Sequence, residues 1–194
     1  LDTKRCVLDA IDAGYRSIDT AQAYYNEEGV GEALAESGLP REEFFLTTKI
    51  WITNAGYDKA RASIEESLKK MRTDYLDLVL IHQPFGDYYG TYKAMEELYK
   101  EGKIRAIGIS NFSLDQIKEA NADGYVDIVE DEFSLLHQDH LTEGMLDYLN
   151  ENKISFVPYF PLASGLLTGK YTTDATFPAD DIRSQIADFK EPRY

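Results

Sequence analysis

The 194-residue chain has a single cysteine, Cys6, so no internal disulfide can form, and a reducing cytosolic setting is the expectation. Basic residues are scarce: 20 Lys and Arg stand against 35 Asp and Glu, a formal net charge of -15. Phosphate backbones and anionic lipid surfaces select basic faces, so nucleic acid and membrane surfaces are excluded as expected partners. No apolar run approaches the roughly 20 residues that span a bilayer, and the first residues lack the basic-then-apolar layout of a signal peptide. The expected location is therefore the cytoplasm. Low-complexity segments and linkers are missing too, which predicts one domain over residues 1–194. With 43% hydrophobic and 28% charged residues, the composition is that of an ordinary globular domain. Cys6 falls on a predicted helix, where a buried small hydrophobe is the expected role.

Helical and strand patterns alternate from end to end. Residues 3–13 predict a helix with Val7 and Ile11 on one face and Gly14 ending it. The segment YRSID predicts a short strand, residues 26–36 a helix, and residues 44–50 a β-branched strand. Ile64, Leu68 and Met71 repeat at i, i+4, i+7 and predict an amphipathic helix over 58–72. Residues 75–81 are continuously apolar, as in a strand buried on both faces. A helix over 91–100, a strand over 104–109, and a helix opened by a Ser113–Gln116 capping box follow. Then come a strand at 127–130, a helix over 141–151 and a strand over 154–159, before an irregular tail. This repetition predicts a parallel sheet covered by helices.

The remaining fold question is open sheet or closed barrel. A doubly wound nucleotide-binding sheet would carry a glycine-rich fingerprint at its first strand–helix turn, where this chain reads TAQAYYNEEG. Polar residues instead fall at the carboxyl ends of consecutive strands: Asp19 with Tyr24, then Lys49, then His82. In a barrel these ends converge on one face. The prediction is an α/β fold of the (β/α)8 TIM-barrel type with about six of its eight strands in this chain. Taken singly, each polar residue has an ordinary explanation as a turn, a solvated lysine or a semi-buried histidine. Recurrence at corresponding strand ends favours a shared site.

At these residues the chain resembles the aldo-keto reductase family. The resemblance runs through GYRSIDTAQAYYNEEGVGEAL, TTKIW, LDLVLIHQP, GKIRAIGISNF and PYFPLASGLLTGKY, in the family's order. Up to about Phe112 it is similar to bacterial reductases of diketo-sugar acids and small carbonyls. From about Val126 it is more similar to the inositol-catabolism and channel-β-subunit branch. The resemblance implies a single barrel domain lacking its first strand, its eighth strand and its last helices. It also implies reduction of small aldehydes, ketones or keto-sugars to alcohols by NADPH, with NADH the open alternative.

In that reading Tyr24 gives the proton to the carbonyl oxygen. A free phenol titrates near 10, so a cation must assist it, and Lys49, held by Asp19, is that cation. His82 orients the carbonyl oxygen. The resemblance assigns Ser110, Asn111 and Glu130 to the nicotinamide carboxamide and Tyr159 to stacking beneath the ring. Leu162, Ser164, Gly165 and Leu166 are assigned to the pyrophosphate loop, and Trp51 and Phe85 to the substrate pocket.

Two departures carry expectations. Glu130 stands where the family usually has glutamine, and an ionised carboxylate accepts but does not donate, so weaker cofactor binding is expected. Phe160 stands where a small serine is common and is expected to crowd the site. No metal is implied. A six-strand sheet would leave two edges open, so self-association that covers them is also expected. A second functional reading stays open, a non-catalytic or impaired partial or designed barrel with a vestigial nicotinamide site.

Overall fold

The computed structural model describes residues 2–172 and 174–190; residues 1, 173 and 191–194 of the expected domain lie outside it. Six strands form one sheet: β1 (Ser17–Asp19), β2 (Phe45–Ile50), β3 (Leu78–Ile81), β4 (Ile107–Ser110), β5 (Ile128–Glu132) and β6 (Ser155–Tyr159). Every pairing is parallel, and the spatial order follows the sequence order. A doubly wound sheet reverses direction at a switch point. Here no reversal occurs among the described strands, so the winding is that of a barrel wall, and the chain covers part of one.

The helices are α1 (Thr3–Asp12), α2 (Glu27–Ser37), α3 (Tyr57–Lys70), α4 (Tyr88–Lys100), α5 (Leu114–Ala120), α6 (Asp139–Thr142) and α7 (Met145–Glu151). Capping begins α5 as the sequence predicts: Ser113 Oγ accepts from the Gln116 amide and the Gln116 side chain accepts from the Ser113 amide. Lys69 and Lys70 sit in the last turn of α3, where cations favour the helix dipole. The single helix expected over 141–151 is two pieces. Gly144, at φ 77, adopts a left-handed conformation that a helix cannot propagate, and it separates α6 from α7. Cys6 is exposed on α1, contrary to the expectation of burial.

Alternation along the strands divides the residues between two faces. Ile18, Leu46, Ile50, Val79, Ile81, Ile107, Ile109 and Val129 belong to one apolar cluster with Ile64, Leu68, Met95, Leu98, Ile117 and Leu149 from the helices and Met71 just past α3. The opposite face carries Asp19, Lys49, Leu78, Leu80, Gly108, Ser110 and Glu130. Crowding there is tight at Gly108, where an added Cβ would lie 2.6 Å from the Ile128 carbonyl oxygen. The amino-terminal rim is closed by charge. Arg41 and Arg105 stack on the Tyr75 ring at 4.0 and 3.5 Å, and both reach the Asp77 carboxylate.

Candidate active site

The sheet ladder continues past the strands at the carboxyl rim. The Thr20 amide donates to Thr47 O at 2.9 Å, the His82 amide to Ile50 O at 3.2 Å and the Asn111 amide to Glu130 O at 3.3 Å. Side chains at these positions therefore start from fixed main chain rather than from free loop. Tyr24 sits five residues beyond β1, on a 3-10 turn over Gln22–Tyr24 that left-handed Tyr25, at φ 53, terminates. Half of Tyr24 is exposed.

Lys49 is only 1% exposed. Its ammonium bonds Asp19 directly, lies 3.2 Å from Glu130 Oε1 and donates to Thr20 O at 3.4 Å. The same nitrogen lies 5.6 Å from the centre of the Tyr24 ring. Burial alone would lower the affinity of Lys49 for its proton, but Asp19 and Glu130 outweigh it and the pKa is raised. The ammonium is thus charged throughout the neutral range.

His82 meets the Tyr24 ring edge-on at 5.7 Å and the Trp51 ring at 5.1 Å. Burial, with the Lys49 charge beside it, pushes its pKa down to about 4, so the imidazole is neutral at pH 7. Its Nδ1 is buried and finds no hydrogen-bond partner among the described residues. Trp51 is braced by Gln22, whose Oε1 accepts from the Trp51 amide at 3.1 Å and from Asn54 Nδ2 at 2.8 Å. Gln22 is a positioning residue that the sequence does not mark, because nothing in TAQAY distinguishes it from a solvated turn residue.

Asp19, Tyr24, Lys49, His82 and Trp51 are brought together, and Phe85 is 60% exposed. Beside them, Tyr159 donates to Asn111 Oδ1 at 2.7 Å, and Asn111 Nδ2 donates to His82 O and Ser110 Oγ, both at 3.0 Å. Asn111 has φ 64, a left-handed conformation that asparagine tolerates, and its amide joins the ends of β3, β4 and β6. Phe160 is half exposed and edge-on to Tyr159 at 5.3 Å. Leu162 is also exposed; Ala163, Ser164 and Gly165 follow with positive φ, and Leu166 is partly buried.

Glu130 is assigned by sequence to the nicotinamide, and its carboxylate is directed at Lys49. Three strand spacings separate β2 from β5, about 14 Å in a flat sheet. Contact at 3.2 Å across that span requires the sheet to curl towards its own concave face. Among the described residues no cluster suited to a metal ion occurs, and no helix is long and apolar enough to cross a membrane.

A curled parallel sheet with a buried, carboxylate-held ammonium beside a tyrosine at its carboxyl rim defines a barrel-type α/β protein. The chain belongs to the aldo/keto reductase family, whose profile matches residues 2–191. It is 44% identical over 162 residues to a glyoxal reductase of Bacillus subtilis (strain 168), covering 83% of this chain and 58% of that protein. It is 43% identical over 163 residues to the methylglyoxal reductase DkgB of Salmonella typhi, covering 82% and 61%. Among solved structures, an aldo-keto reductase of Bombyx mori in complex with NADP superposes with a TM-score of 0.76 at 35% identity, covering 82% of this chain and 56% of that one. The chain thus spans about three fifths of the length of these relatives.

Proposed function

We propose that this chain carries the acid–base half of a nicotinamide-dependent carbonyl reductase that converts small aldehydes, ketones or keto-sugars to alcohols. The observation that carries the proposal is the Lys49 ammonium, buried, held by Asp19 and 5.6 Å from the Tyr24 ring. When bound, a reduced nicotinamide supplies the hydride to the carbonyl carbon. Tyr24 gives its proton to the oxygen as negative charge gathers there, and the adjacent ammonium stabilises the phenolate left behind. Neutral His82 donates an N–H to the same oxygen and fixes its direction. Trp51, packed on His82, shields that side from water.

The residues at the neighbouring strand ends suit a nicotinamide. Ser110 Oγ accepts from Asn111 and keeps its own proton to donate, while Asn111 Oδ1 keeps a second lone pair beyond the one Tyr159 occupies. Tyr159 offers a ring held in place by its hydroxyl bond. Leu162, Ser164, Gly165 and Leu166 would approach the pyrophosphate through their backbone. NADPH is the expected form, supported by the NADP complex of the Bombyx mori relative. The names of the glyoxal and methylglyoxal reductases support small dicarbonyls as substrates. A non-catalytic barrel is the second reading, favoured by one observation, the exposure of β6 on the cofactor side.

Mixing the chain with NADPH and methylglyoxal, and following loss of the reduced-nicotinamide absorbance, tests the proposal. Turnover that vanishes in Tyr24→Phe is the expected result. Turnover indifferent to that change sinks the mechanism. Quenching of Trp51, the sole tryptophan, by NADPH without any turnover would favour the second reading.

A further inference from the structure

Two carboxylates share one ammonium in this site. Asp19 from β1 bonds Lys49 directly, and Glu130 from β5 approaches the same nitrogen at 3.2 Å with 7% of its surface exposed. One positive charge balances one of them. Asp19 is partly open to water and can keep its charge hydrated, whereas Glu130 cannot. The other groups facing this cluster are Tyr24 beyond β1, His82 beyond β3, Ser110 on β4 and Tyr159 on β6. His82 is neutral at pH 7, and burial pushes the Tyr159 phenol up to about 12, so neither carries a charge in the neutral range.

We propose that Glu130 is a positioning residue that carries a switchable proton. Uncharged, it leaves the full charge of Lys49 to Asp19 and Tyr24; ionised, it draws the ammonium towards β5 and weakens its hold on the phenol. The functional half of this inference rests on Tyr24 being the proton donor. Burial first, and the charge of Asp19 second, raise the Glu130 carboxyl to about 7 against the pull of Lys49. The switch therefore operates across the neutral range, with proton donation from Tyr24 declining as Glu130 ionises.

The direct test is a pH titration of the full chain labelled with 15N-lysine. The Lys49 ammonium signal, assigned by its absence in Lys49→Met, is followed from pH 5.5 to 8.5. A step in its shift near neutrality is expected in the wild type and is expected to vanish in Glu130→Gln, which keeps the side chain's shape. A wild-type signal without a step, or the same step in Glu130→Gln, overturns the proposal. The second readout is the pH dependence of kcat/KM with NADPH and methylglyoxal. A severalfold decline through neutrality in the wild type and its absence in Glu130→Gln are expected; identical profiles count against the functional half. A Lys49 step without turnover in any protein would leave the proton switch standing and remove the reductase reading instead.

Discussion

Strands β2, β3 and β4 differ from β6 in almost every respect that bears on the site. From Leu46 to Ile50, Leu78 to Ile81 and Ile107 to Ser110 every residue is buried, whereas every residue of β6 is exposed or only partly buried. The inner strands have neighbours on both edges, helices on one face and packed side chains on the other, while β6 pairs with β5 alone among the described residues. The seven non-glycine residues with positive φ among those described include three between Phe160 and Ser164, directly after β6. Each such residue costs on the order of 1–3 kcal/mol unless its surroundings enforce it. Lys49 and Glu130 thus stand on buried wall, and residues 159–166 stand on an exposed edge. On the proposed function, in which Tyr24 sets the rate and residues 159–166 the cofactor affinity, the two should respond to different substitutions.

The largest separation comes from removing the cation. Lys49→Met keeps much of the buried volume and leaves Asp19 and Glu130 without their partner. A loss of about 10²- to 10⁴-fold in kcat/KM is expected, in the range of general acid–base contributions. NADPH binding, read by Trp51 fluorescence, should change far less. Equal losses in both would erase the distinction between wall and edge.

The next effect concerns the wall's stability. In Gly108→Ala the new methyl carbon would sit 2.6 Å from the Ile128 carbonyl oxygen, and strand backbone cannot yield as a flexible side chain can. A cost of about 2–3 kcal/mol is expected, read as a lower urea midpoint with an unchanged slope.

These examples show how much the sequence discloses. The order of the strands, the amphipathic face of α3, the Ser113 cap and the Asp19–Tyr24–Lys49–His82 grouping were legible, because periodicity and strand ends are local signals. The Glu130–Lys49 contact was not, because it depends on how strongly the sheet curls across three strand spacings. Asn111 as a brace and Gly108 as a space-saving position depend on neighbours 20 or more residues away. Gly144, at φ 77, breaks the helix expected over 141–151, and a glycine inside an apolar pattern does not by itself say whether it bends or ends a helix. Exposure of Cys6 had no local marker, since short helices place similar residues on either face.

A third, smaller effect separates Glu130 from His82 by pH. Folded, Glu130 keeps its proton to about pH 7; unfolded, it releases it near 4.5. Between those values the folded chain holds more protons, so this group's contribution to stability falls as pH rises, by on the order of 3 kcal/mol. His82 acts oppositely: its folded pKa of about 4 lies below the ordinary 6.5, so its contribution is present above 6.5 and lost as pH falls towards 4. Its partial exposure makes that effect the weaker one. Glu130→Gln should match the wild type near pH 5 and exceed it by about 1–3 kcal/mol at pH 8, measured as paired urea midpoints. A variant less stable at pH 8 would mean that the Glu130–Lys49 ion pair outweighs the burial of the carboxylate.

The smallest effect belongs to the edge itself. Val157, in the middle of β6, is 41% exposed. Its register partner is Glu130. Val157→Lys places a charge where solvent can reach it and a long stem that can lie along the strand. A change within about 0.5 kcal/mol is expected, as for surface substitutions generally. The corresponding substitution Leu80→Lys, on a fully buried strand, should prevent folding because no partner or water is available for the charge. A loss at Val157 approaching that at Leu80 would mean that a second copy, or further chain, covers β6 in solution. The contrast between wall and edge would then be one of coverage rather than of rigidity, and its size would depend on protein concentration if a second copy provides the cover.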